Sequence, residues 1–399
     1  MSGLNHTSYD IVVGIPSFNN AGTIKYVVET SVRGLNQFFP SLRSCILNSD
    51  GGSTDNTEGA FFSAYSDGVD LLSFKYRGIS GKGSAMRSIM EKARSLNAKV
   101  VVFLDSDLRS VEPFWIERLV NPVLEKNAAY VTPYYVRHKY DGTITNSICY
   151  PLTTALYGRK LRQPIGGDFG VGREIIDYCT SVPDNTWNSD VSRFGIDIWM
   201  TTSAVNEVKG EIYQAALGTK IHDVKDPGKQ LGRMFREVVG TLFSLMQKYE
   251  SRWKHVKGYT ESPIYGDAVV GEPEPLEVDL GNMILKFYEG IENQKSFVKE
   301  ILGPEIFEGL FLLRKTDAMI EDDLWVRIVY SIASSYRDEA LRERLIELLV
   351  PLYFGRVAYF VSKTESLVQE DAEKETEKLL EKFVETKGEL ISIWEKNSG

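Results

Sequence analysis

The chain has 399 residues, 43% of them hydrophobic and 25% charged, which excludes a disordered, collagen-like or low-complexity protein. At about 100–200 residues per domain, this length predicts two or three domains with a large core. The net charge of -9, with no basic stretch, argues against nucleic acid as the main partner.

In chain order, residues 10–15 form a short β-branched run closed by Pro16. Residues 44–48, 71–76, 99–104 and 128–133 repeat the pattern. Unbroken apolar runs suit strands buried on both faces of a parallel sheet. Helical patterns over 23–38, 56–63 and 84–96 separate the first four runs, and another covers 148–161. The alternation predicts an α/β layered domain with right-handed crossovers. Gly258, Pro263, Gly266, Gly271, Pro273 and Pro275 mark 257–278 as a linker or ordered crossover. Beyond it, 279–399 carries Leu, Glu and Lys at helical spacing and predicts an all-helical region. Its last helix, 370–393, has an acidic polar face. That suits packing or oligomerisation and is repelled by anionic lipid. The expected division is therefore 1–256, 257–278 and 279–399.

The first ten residues lack a positive segment followed by an apolar one, so no secretory signal is expected. The best apolar run, 345–354, falls short of the ~18–20 residues of a membrane span and contains Glu347 and Pro351. Cys45, Cys149 and Cys179 are odd in number, widely spaced and without a CxxC pair. They read as buried free thiols in a reducing compartment. A cytoplasmic protein without a membrane span is the expectation.

The chemistry concentrates at strand ends. Asp105-Ser106-Asp107 follows the run 99–104 directly. Open α/β sheets bind ligands at the carboxyl ends of their strands. Two carboxylates spaced this way can share a hard divalent cation, Mg2+ or Mn2+, whose remaining oxygen ligands a pyrophosphate supplies. A solvated strand-end pair would read the same, so the neighbouring motifs decide. Pro16-Ser17-Phe18-Asn19, then Asn20, closes the first strand. Asp50-Gly51-Gly52-Ser53-Thr54-Asp55 follows the second. Gly81-Lys82-Gly83 follows the third, and such a turn brings backbone N–H groups and an ammonium to phosphate. There is no GxxxxGK[ST] loop and no GxGxxG fingerprint.

These four motifs, in this order over residues 10 to about 110, resemble those of nucleotide-diphospho-sugar glycosyltransferases of the A fold. The resemblance implies a Rossmann-like α/β fold with a mixed, mainly parallel sheet, followed here by the helical region. It implies a donor site at Pro16, Ser17, Phe18, Asn20, Asp50, Gly51, Lys82, Asp105 and Ser106. The middle of the chain is similar to the retaining enzymes that make mannosylglycerate, glucosylglycerate and glucosyl-3-phosphoglycerate. Pro164-Ile165-Gly166-Gly167-Asp168, Gly195-Ile196-Asp197, His222 and Gln230 to Met234 carry that likeness. It implies that His222 completes a metal site with Asp105 and Asp107. Residues 141–145 resemble the acceptor loop of that group, with Gly142, Thr143 and Thr145 at the acceptor and Met234 on its side. Thr143 stands where the phosphoglycerate enzymes carry an arginine. That favours an uncharged acceptor end, with Arg137 and Lys139 as nearby cations. Asn20 stands where an acid is common, which leaves UDP and GDP both open.

Inverting transfer requires a general base, for which Asp168 or Asp197 is placed after a glycine turn. In retaining relatives the backbone at Ile165 lines the anomeric face and Asp197 is a nearby carboxylate. The resemblance favours retention. The function implied is transfer of glucose or mannose from a UDP- or GDP-hexose to D-glycerate or 3-phosphoglycerate, in compatible-solute synthesis, by a homo-oligomer. Three other readings compete. An inverting transferase acting on a lipid or polysaccharide would want an anchor or a basic face. A sugar-nucleotide nucleotidyltransferase would want GxGxR where this chain reads GIPSFNN. A non-catalytic sugar-nucleotide binder would have degenerate motifs.

Overall fold

The computed structural model describes residues 8–221, 230–267, 271–316 and 319–396. The chain forms two compact units. The first holds Met1–Arg137, Leu161–Lys225 and Ser262–Glu274; the second holds His138–Lys160, Asp226–Glu261 and Pro275–Gly399.

The first unit is built on one sheet. Its strands are β1 (Ile11–Ser17), β2 (Ser44–Asp50), β3 (Asp70–Lys75), β4 (Val100–Phe103), β5 (Ala128–Val136), β6 (Phe169–Gly172), β7 (Glu211–Thr219) and β8 (Ile264–Tyr265). They lie in the order β8-β7-β5-β6-β4-β1-β2-β3. Only β6 runs antiparallel, against β4 and β5. The sheet is the mixed, mainly parallel one expected. Val12, Val13, Val101 and Val102 are wholly buried, because helices cover both faces. Helices Ile24–Phe38 and Pro113–Lys126 pack Val28, Val32, Trp115, Ile116 and Leu119 onto one face. Helix Lys82–Ser95 packs on the other, so closely that a Cβ on Gly14 would stand 2.5 Å from Ile89. The chain leaves β1 toward β2 on one side and returns through β4 on the other. That switch point puts the loops after β1 and β4 around one crevice.

Strands β6, β7 and β8 were not expected. Gly170 in β6 faces Leu119 so tightly that a Cβ would sit 2.1 Å from its carbonyl. A strand that must carry glycine has little β-branched signal. β8 lies inside the stretch read as a linker and pairs in parallel with β7.

The second unit is helical. Gln230–Lys248, Leu280–Asn293, Lys295–Thr316, Asp322–Ser335, Arg342–Thr364, Gln369–Glu385 and Lys387–Lys396 are joined by Tyr150–Tyr157. Its membership differs from the division expected at 256 and 279, since 138–160 and 226–261 belong with it. The reason is bonding distant in sequence. Tyr150 donates to Glu377 at 2.6 Å, and the Trp325 indole donates to the Ser147 carbonyl at 2.7 Å. The stretch 339–364 also corrects the expectation of no span-length apolar segment. By length and composition it could cross a membrane, and 78% of its apolar window is buried inside the protein. The apolar pattern continues past Pro351 through Val357, Ala358 and Val361, which makes it the core helix of this unit.

Candidate active site

The loops after β1, β2 and β4 are cross-linked by their own polar side chains. Ser17 Oγ donates to Asn48 Oδ1 at 2.7 Å, and Asn48 Nδ2 donates to Ser73 Oγ at 3.2 Å. Asp50 is 3% exposed. Its Oδ1 closes the glycine turn, accepting from the backbone N–H groups of Gly52 and Ser53 and from the Ser53 hydroxyl. Asn20 does not stand free as a nucleoside contact. Its Oδ1 accepts from Phe18 N at 3.0 Å and from Ser106 Oγ at 2.8 Å, while Thr23 Oγ1 donates to the Ser106 carbonyl at 2.7 Å. The Phe18 ring, 61% exposed, stands beside Gly51, where a Cβ would lie 3.1 Å from it. An exposed aromatic held over a glycine offers a stacking face for a nucleobase.

Deeper in the crevice lies an ionic cluster. Lys82 opens its helix, and its Nζ reaches Asp105 Oδ1 at 2.8 Å and Asp197 Oδ2 at 3.3 Å. Lys220, just past β7, reaches Asp105 Oδ2 at 3.0 Å, Asp168 Oδ2 at 2.8 Å and the Gly166 carbonyl at 2.8 Å. Burial disfavours both ammonium charges, yet the surrounding carboxylates outweigh it and raise both lysines above the ordinary value. Burial raises Asp168 and Asp197 above the usual carboxylate range, against the pull of Lys220 and Lys82 respectively. Two ammonium groups thus meet three carboxylates directly; Asp107 follows Asp105 by two residues. Carboxylate oxygens at strand ends are the hard donors that a divalent cation takes. Among the described residues no three His, Cys, Asp or Glu side chains form a ready metal cage. His222 lies outside the described residues. Its neighbour Ile221 is described: its carbonyl accepts from Arg109 N at 2.9 Å and its N–H donates to Ser110 Oγ at 2.8 Å.

Several expected roles change. Asp168 is completely buried. Its Oδ1 accepts from Asp105 N at 2.8 Å, and its Oδ2 accepts from Lys220 and the Tyr135 hydroxyl. Complete burial and three protein donors suit a structural anchor better than a general base. The Gly81-Lys82-Gly83 turn is not a phosphate nest. Gly81 N donates to Tyr76 and Gly83 N to the Arg193 carbonyl, which leaves the lysine ammonium as what the turn delivers. Asp197, in the first turn of helix Ile196–Glu207, keeps Oδ1 buried with no hydrogen-bond partner. Ile165 is half-buried beside the two glycines. Lys220 was not anticipated; its sequence signal is a lysine ending an apolar strand two residues before His222.

Arg137 directly follows β5 in the first unit, while Gly142, Thr143, Thr145 and Met234 belong to the helical unit. Thr143 Oγ1 pairs with the Tyr353 hydroxyl at 2.5 Å. Lys139 donates to the carbonyls of Thr364, Glu365 and Leu367 and so caps a helix end. Thr145 is 2% exposed and opens a turn before Tyr150–Tyr157.

Residues 12–175 match the model of glycosyl transferase family 2. The chain is 27% identical over 256 residues to the glucosyl-3-phosphoglycerate synthase of Mycobacterium tuberculosis, a match that covers 59% of this chain and 72% of that one. The Petrotoga mobilis enzyme of the same name is 24% identical over 260 residues, covering 60% and 74%. A crystal structure of the M. tuberculosis synthase with Mn2+, UDP and phosphoglyceric acid is 26% identical, with TM-score 0.47, over 59% of this chain and 78% of that chain.

Proposed function

We propose that this glycosyltransferase, whose residues 12–175 form a family 2 domain, moves glucose from UDP- or GDP-glucose to a small glycerate-type acceptor, D-glycerate or 3-phosphoglycerate, with retention and with Mg2+ or Mn2+ bound. The glucose and the acceptor class are taken from the names of the relatives. The observation that carries the reading is the ionic cluster at the strand ends. Its carboxylates offer oxygen donors to a divalent cation and its lysines offer positive charge, and the two together suit a nucleoside diphosphate.

Phe18 stacks the base, and Asp50 Oδ2 accepts from the nucleoside. The Lys82 ammonium faces the diphosphate and takes up charge as it leaves. Asp107 and His222, with Asp105, would hold the cation, which supplies Lewis-acid stabilisation of the leaving diphosphate. Asp197 Oδ1 needs a hydrogen-bond donor, which a sugar hydroxyl provides. With Asp168 fully engaged, an inverting route would have to use Asp197 as its base. Retention instead assigns the anomeric face to the Ile165 backbone. Lys139 and Thr143 are bonded within the helical unit. A phosphate on the acceptor would have to be met by other cations, Arg137 among them. We extend the reading to a cytoplasmic homo-oligomer. Three buried unpaired thiols and the amphipathic C-terminal helices support it, and light scattering measures the assembly.

The test is a matrix assay. The protein with Mn2+ or Mg2+ is given UDP-glucose, GDP-glucose and GDP-mannose, each with D-glycerate and 3-phosphoglycerate. Released nucleotide and the anomeric proton are read by NMR. An α-linked glucosyl product supports the proposal. A β-linked product overturns retention, and donor hydrolysis with no product overturns the glycerate acceptor.

A further inference from the structure

We infer that Lys220 is a positioning residue for the transfer, a resident cation that bolts the Gly166–Gly167 turn and the Asp105 carboxylate into one rigid body. The inference rests on the glycosyltransferase reading above. Three observations carry it.

The first is geometry. The side chain of Lys220 is 4% exposed, and its three N–H bonds match three acceptors: Asp105 Oδ2, Asp168 Oδ2 and the Gly166 carbonyl. The ammonium also lies 5.1 Å from the centre of the Tyr135 ring, and Tyr135 itself donates to Asp168. One cation therefore joins the end of β4, the end of β5 and the turn before β6.

The second is what the turn would do without it. Gly166 and Gly167 must be glycine, because a Cβ would come within 2.2 Å of Pro133 and 2.3 Å of Asp105 Oδ2 respectively. Gly167 also has φ +88°. Two adjacent glycines leave the peptide planes soft. The Gly166 carbonyl is pinned by Lys220 on one side, and the Pro164 carbonyl is pinned by the Thr201 hydroxyl at 2.7 Å on the other. Between the two pins lies the Ile165 peptide, the group assigned to the anomeric face.

The third is the division of Asp105. Lys220 holds Oδ2 and Lys82 holds Oδ1. With Lys220 gone, Asp105 Oδ2 loses the ammonium that ties it to the Gly166–Gly167 turn, while its Oδ1 keeps Lys82. Asp168 is left as a buried carboxylate without its counter-ion.

The experiment compares Lys220→Met and Lys220→Arg with the parent enzyme. It reads kcat, both KM values, thermal unfolding, and UDP affinity with Mn2+ by calorimetry. Misplacing a reacting geometry by an ångström costs on the order of 100-fold, so Lys220→Met should lose about that much in kcat. UDP affinity should move by less than about ten-fold, since Lys82 and the cation carry the diphosphate. Lys220→Arg, whose fork can span two carboxylates, should recover most of the loss. A folded Lys220→Met with kcat within about three-fold of the parent overturns the inference. So does a Lys220→Arg as damaged as the Met variant, since shape and not the cation would then matter. If Lys220→Met does not fold, Lys220→Gln, which keeps a polar end and removes the charge, is measured in its place and judged by the same outcomes. A parent that binds UDP but transfers nothing sinks the transferase reading and not the bolt: Lys220→Met that leaves donor hydrolysis intact would be needed for that.

Discussion

At Gly167 the backbone needs a left-handed φ and the space beside it is already filled by Asp105. Gly167→Ala would both strain the turn and push the carboxylate off its two lysines. Turnover should fall by at least about 100-fold in a protein that still unfolds cooperatively, as measured by initial rates and calorimetric melting. Asp107→Ala should abolish metal-dependent turnover across a Mn2+ titration. Unchanged turnover would remove the strand-end acids from the cation site. Thr145→Ala should raise the acceptor KM more than the donor KM, and the reverse would remove the loop from acceptor binding. Chain position alone foretold these roles unevenly. Asp105 and Lys82, both placed at strand ends by the sequence pattern, pair at 2.8 Å, a contact that chain position does not foretell. Asn20 and Asp168 instead have their acceptor atoms occupied by protein donors, which only coordinates disclose.

Buried lysines also tie the helical unit together at the scale of elements. Lys387 Nζ donates to the carbonyls of Ala155, Leu156 and Val256 at 2.8, 3.3 and 2.7 Å. Two of these carbonyls belong to the last turn of helix Tyr150–Tyr157, whose C-terminal groups have no partner within the helix. Lys387→Met keeps the aliphatic length and leaves the carbonyls unsatisfied, which should cost about 1–3 kcal/mol. Urea unfolding followed by circular dichroism measures it, and no change in midpoint would show that water replaces the ammonium. The same bonds explain why 138–160 was unreadable as part of this unit. Its helix pattern is local, whereas its partners Glu377, Lys387 and Trp325 lie more than a hundred residues on.

For the whole molecule, burial governs reactivity. Cys45, Cys149 and Cys179 are all buried and unpaired. Desolvation pushes the Cys45 thiol up to about 12 and raises the other two as well. The thiolate is the reactive form, so the native protein at pH 8 should resist alkylation. Unfolding in guanidinium should expose all three cysteines, and mass spectrometry counts the adducts. Rapid labelling of any one in the native state would show that its site opens without global unfolding.

What the sequence by itself determined was the α/β alternation, the strand-end placement of four polar motifs, and the helical C-terminal region. Those follow from contiguous apolar runs and helical periodicity, which are local properties of the chain. The glycine-laced strand β6, the two-residue β8, and the partition of 138–160 and 226–261 were settled only by the tertiary structure. So were the three-way bonds of Lys220 and the full engagement of Asp168. Each depends on which oxygen lies within about 3 Å of which donor, a range at which hydrogen bonds form. Periodicity cannot carry that information, because the partners approach through space and not along the chain.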